Sequence, residues 1–112
     1  MHLKNFSLIN QPGIGYTLTP AYDMVATALV NPADKEELAL TLNGKKSRLT
    51  QQDFTRAFNT LKLPPATVRN IFNKLTRAIP AWLNFIDNSF LTEAYKDASK
   101  HLILEKRVHL GL

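Results

Sequence analysis

The spacing of apolar positions changes near residue 50. Before it, short apolar stretches are broken by Gly and Pro; after it, apolar residues recur at helical intervals. In the first part, Phe6 to Asn10 and Gly15 to Thr19 predict two short strands, with Gln11-Pro12-Gly13 as the turn between them. Pro fixes φ and Gly accepts a positive φ, which is what a tight turn needs. Pro20 ends the second strand because it has no N–H to give a ladder. Ala21 to Leu29 predicts a short helix stopped at Asn31-Pro32. Leu38, Leu40 and Leu42 alternate with Ala39 and Thr41, a pattern of a short extended piece or packed loop, and Asn43-Gly44 turns the chain.

From Thr50 the pattern is helical. Thr50-Gln51-Gln52-Asp53 resembles a capping box, with Asp at the third helical position. Phe54, Ala57, Phe58 and Leu61 then share one face. Pro64-Pro65 ends that helix and starts the next, in which Val68, Ile71, Phe72, Leu75 and Ile79 align. Pro80 is expected to kink or split this helix, because it removes a hydrogen bond and crowds the preceding turn. Trp82, Leu83, Phe85 and Ile86 continue the apolar face. Thr92 is placed to cap a last helix through Tyr95, Ala98 and Leu102, with Val108 to Leu112 expected to fray.

The chain has 112 residues, enough for one domain with a small core. It contains no cysteine, which excludes disulfides, a thiol nucleophile and a thiolate zinc site, and fits a cytoplasmic protein. No apolar run is long enough to span a bilayer, so no membrane partner is expected. Met1 to Leu18 carries Lys4, Asn5, Asn10 and Gln11 among its apolar positions, unlike a signal peptide. The net charge is +5, but the cations are scattered, as on solvated faces. A basic helical nucleic-acid-binding protein is the alternative, marked by steep salt dependence. His101 and His109 lack partner ligands and read as surface or core residues. Phe72, Trp82 and Phe85 read as core rather than a stacking platform.

Two segments stand apart. One runs His2-Leu3-Lys4-Asn5-Phe6-Ser7, the other Thr19-Pro20-Ala21-Tyr22-Asp23. They resemble the HipA-type serine/threonine kinases, whose catalytic loop has the form Asp-x-His-x-Lys-Asn-x-Ser and is followed by a hairpin and a Thr-Pro-x-Tyr-Asp segment. Leu38 to Gly44 is also similar to a family segment. The resemblance implies a mainly α fold, the helical C-lobe of a protein-kinase-like architecture with a small N-terminal hairpin and incomplete at its start. A single domain over 1–112 is expected, with 1–30 carrying the loop, hairpin and aspartate and 50–110 a helical bundle.

It also implies the chemistry. Phosphoryl transfer needs metal ions on the ATP phosphates, a carboxylate near the acceptor hydroxyl, and positive charge on the transferred group. By resemblance Asn5 and Asp23 are magnesium ligands, Lys4 contacts the ATP phosphates and His2 holds the loop in shape. Tyr22 is expected to pack so as to position Asp23. Taken singly, Asp23 is as well read as a cap for a helix from Met24. The aspartate of the motif falls one position before Met1, so the chain as given is expected to bind little ATP or magnesium and to be inactive alone. The partners implied are the remaining N-terminal kinase part, a DNA-binding antitoxin and a protein substrate such as an aminoacyl-tRNA synthetase. A binding module completing a split kinase is a further alternative, and homo-oligomers through an exposed apolar surface are expected if that surface is left uncovered.

Overall fold

The computed structural model describes residues 3–31 and 33–112. A 3₁₀ turn at Leu3–Asn5 leads into a two-stranded antiparallel hairpin, β1 (Leu8–Gln11) and β2 (Gly15–Leu18), paired in the register Leu8 to Leu18 and Gln11 to Gly15. The helices follow: α1 (Thr27–Val30), α2 (Gln51–Thr60), α3 (Pro65–Asp87) and α4 (Glu93–His109). The fold is mainly α with a small N-terminal hairpin, as expected.

The expected helix over Ala21 to Leu29 shrinks to the single turn α1. The carbonyls of Tyr22 and Asp23 are taken by the Asn5 side chain, and Asp23 sits at φ 53°, so neither residue joins a helix. Ala26, not Asp23, occupies the N-cap position of α1. The Leu38–Leu42 stretch is a loop rather than a strand. Its one ladder contact joins Leu42 and Lys45 across the Asn43-Gly44 turn, with Leu42 N to Lys45 O at 2.8 Å and the return bond at 3.0 Å. Both turn residues have positive φ, the geometry of a two-residue hairpin turn.

Asp53 is the hub of this loop. Only 3% exposed, it accepts hydrogen bonds from Asn43 Nδ2 (2.8 Å), Lys45 Nζ (3.1 Å), Thr50 N (3.0 Å) and Thr50 Oγ1 (2.9 Å). The Asn43 amide and the Thr50 donors hold its carboxyl well below the usual carboxylate range, against the opposing effect of burial. Glu37 ties the same loop to α4 through Lys106 and accepts from Leu49 N at 3.1 Å. Burial pushes the Glu37 carboxyl up, but Lys106 and the backbone donors outweigh it and hold it low.

The buried apolar residues are Leu49, just before α2, and Val68, Phe72 and Ile79 on α3, which packs along α4 and meets α2 through Phe58 and Phe72. Phe54, Phe58 and Phe72 form a ladder of tilted rings, with centroids 6.4 and 6.2 Å apart. The helix α3 runs unbroken through Pro80, which therefore does not split it. Trp82 and Phe85 are 44% and 74% exposed, so the expected core ends at Ile79. Thr92 stands at the N-cap of α4 without a side-chain capping bond. The end of α4 is closed rather than frayed: Leu112 N bonds Arg107 O and Gly111 N bonds Val108 O, both at 3.0 Å, around Gly111 at φ 64°.

The chain exposes 8725 Å², where a compact monomer of this size exposes about 6200 Å². Its radius of gyration is 16.2 Å, against about 13 Å for a compact chain. Much apolar surface thus has no cover within the chain.

Candidate functional site

The two segments singled out in the sequence meet. Asn5 is 8% exposed, and its Nδ2 donates to Tyr22 O at 2.9 Å and to Asp23 O at 3.1 Å. Tyr22 N donates back to Asn5 O at 3.2 Å. Two residues on, Thr19 N donates to Ser7 O at 2.9 Å, and Thr19 Oγ1 also donates there at 3.2 Å. That leaves the Ser7 hydroxyl to donate to Thr19 Oγ1, 3.0 Å away. The hairpin brings the segments side by side, and these bonds fix their alignment.

The clamp on Asp23 has a consequence for its backbone. A non-glycine residue at positive φ costs on the order of 1–2 kcal/mol, and Asp tolerates it better than most. Here the Asn5 amide holds both carbonyls that would otherwise relax. The Asp23 side chain is exposed. Tyr22 is half-exposed, and its carbonyl and that of Asp23 are held by the Asn5 amide. Lys4 is exposed beside Asn5 in sequence, and His2 lies outside the described residues.

The oxygen atoms that Asn5 and Asp23 bring to this place are an amide oxygen and a carboxylate. Among the described residues no group of three or more His, Cys, Asp or Glu side chains is arranged to hold a metal. His101 and His109 are both exposed on α4. Among the described residues no helix is long and apolar enough to cross a membrane. The cations are partly engaged within the chain, with Lys45 on Asp53, Lys46 on Glu36 and Lys106 on Glu37.

Sequence reasoning singled out Asn5 and Asp23 but not that Asn5 holds the Asp23 backbone. Nor did it find the Ser7–Thr19 pair as a staple, although both belong to the quoted segments. Residues 1–83 match the family model of the HipA-like C-terminal domain, and the match contains both clamped segments, the Asn43-Gly44 turn, α2 and most of α3. The chain belongs to the HipA-like C-terminal domain family.

Proposed function

We propose that the chain supplies the end of the catalytic loop and the metal-binding segment of a HipA-like serine/threonine kinase, with Asn5 and Asp23 as magnesium ligands. The observation that carries this reading is the Asn5 clamp, which holds Asp23 in a left-handed conformation beside the loop. An amide oxygen and a carboxylate are hard donors of the kind magnesium accepts together with substrate phosphates and water. Magnesium, when bound with ATP, would neutralise charge on the transferred phosphoryl group. Lys4 offers an ammonium to the phosphates.

Two oxygen ligands hold magnesium weakly, so the nucleotide has to complete the site. A polypeptide packed against the hairpin would be placed to supply the carboxylate for the acceptor hydroxyl and a cradle for the phosphates. The exposed Leu8, Ile14, Tyr16 and Leu18 favour such a neighbour. Phosphotransfer is expected only in its presence. Family membership supports a protein serine or threonine as acceptor, an aminoacyl-tRNA synthetase among the candidates, and a DNA-binding antitoxin as the restraining partner of a toxin–antitoxin pair.

Paramagnetic broadening by Mn²⁺ in the presence of ATP tests the ligand assignment even when binding is weak. Amide resonances of Asn5, Tyr22 and Asp23 are expected to broaden first in the wild-type chain and not in Asp23→Asn. Broadening that starts at the acidic 34–37 loop, or is the same in both proteins, rejects it.

A further inference from the structure

Five large side chains gather at one end of the α3–α4 pair: Trp82 and Phe85 from the end of α3, Phe90 and Leu91 from the connection, and Tyr95 from the first turn of α4. Trp82 and Phe85 stand three apart and share a helix face. Phe90 is fully exposed, and Leu91 and Tyr95 are about half-exposed. With roughly 200 Å² for each such side chain, the uncovered area comes to about 600 Å². That is the upper end of what a monomer leaves bare.

Charges around this end are closed internally. Asp87 pairs with Lys100 at 2.8 Å, and Glu93 with Lys96 at 2.9 Å. The surface is therefore apolar and nearly neutral on a chain whose net charge is +5. The cations Lys96 and Lys100 at this end are already paired, which disfavours an anionic partner, and two identical surfaces of this kind bring little like charge together. Two such faces bury about 1200 Å² together, the lower bound of a specific protein interface. The matched family region ends at residue 83, so Phe85, Phe90, Leu91 and Tyr95 lie beyond it.

We propose that a second copy of this chain docks on this end, joining two α3–α4 pairs about a two-fold axis with Trp82, Phe85 and Phe90 at the centre. A two-fold contact uses the same patch on both copies, so one self-complementary aromatic surface suffices. Aromatic anchors in a desolvated centre carry most of the affinity of such contacts. The proposal is independent of the metal site, which lies in the clamped N-terminal segments.

Sedimentation equilibrium on the full chain tests it, together with the emission of Trp82, the single tryptophan. The wild-type chain is expected to be a dimer at micromolar concentration, with emission moving to shorter wavelength as it associates. Phe85→Glu/Phe90→Glu should weaken the dimer at least about 100-fold and leave helical circular dichroism unchanged, since both rings are exposed. Tyr16→Glu in the hairpin should leave the dimer intact. A wild-type chain that stays monomeric, a dimer that survives Phe85→Glu/Phe90→Glu, or one lost in Tyr16→Glu overturns the proposal.

Discussion

Around Asn5 the chain is held by hydrogen bonds between an amide, two hydroxyls and the backbone, while its apolar side chains Leu8, Ile14, Tyr16 and Leu18 face solvent. Around Phe72 the opposite holds: rings and aliphatic chains are packed, and most polar groups point outward. The first arrangement gives direction without much burial, which suits the proposed role of presenting Asp23 to a bound metal. The second supplies the apolar burial that stabilises the fold. The two regions should therefore open independently, the hairpin at low cost and the helices only with global unfolding.

The largest separation is expected from Phe72→Ala. Phe72 is buried, with its ring centroid 6.2 Å from that of Phe58, and removing a buried Phe costs about 3–5 kcal/mol. Urea denaturation followed by circular dichroism should show a loss of this order, enough to unfold most of a marginal chain. A loss below about 1 kcal/mol would mean that the helical part is not held by this core.

Acid comes next. Asp53 and Glu37 both have carboxyls held below their ordinary values. A carboxylate of depressed pKa contributes stability that is present above its unfolded value, near 4, and is lost as pH falls toward the folded value. The melting temperature should be level between pH 7 and about 5 and drop below about 4. Asn43→Ala removes the leading donor to Asp53. It should lower the melting temperature by several degrees at pH 7 and make the acid decline shallower, because less of the Asp53 shift remains to be lost. An equally steep decline in the variant would assign the acid sensitivity to Glu37.

Asn5→Ala addresses the other region. It removes two hydrogen bonds to the Tyr22 and Asp23 carbonyls, each contributing about 0.5–1.5 kcal/mol. Amide exchange in β1 and β2 should speed up about tenfold, while α3 keeps its protection. Equal loss in both regions would show that the clamp also supports the helical core.

The hairpin, α2 and α3 were legible in the sequence because their signals are local: Pro12-Gly13 between strands, Phe54, Ala57 and Phe58 at helical spacing, and Pro64-Pro65 between helices. Asn43-Gly44 was legible for the same reason. The Asp53 hub was only half legible. Its pairing with Thr50 is local, but its bonds to Asn43 and Lys45 depend on how the loop folds back over the start of α2. The helix expected at Ala21 failed because Asn5, far away in sequence, takes the carbonyls it needs. Trp82 and Phe85 show a further limit: periodicity places them on one face but does not say what covers that face. At the candidate site, the resemblance pointed to Asn5 and Asp23, and only the fold shows one holding the backbone of the other.

The smallest expected effect sharpens the comparison from the helical side. After α2, Leu63 N bonds Phe58 O at 3.0 Å and Lys62 N bonds Asn59 O at 2.9 Å, the same closure that Gly111 makes after α4. Here the left-handed position is held by Lys62, at φ 57°. Its side chain is exposed. Lys at this position carries the steric cost of a Cβ in a left-handed residue, and Gly does not, although Gly has more freedom to lose from the unfolded chain. Lys62→Gly is therefore expected to stabilise the helical part by about 0.5–1 kcal/mol, measured as a small rise in the urea midpoint. Hairpin exchange should stay at its wild-type rate, since the α2 end supports the core and not the Asn5 clamp. A rise in hairpin protection along with the midpoint would couple the two regions and contradict their independence.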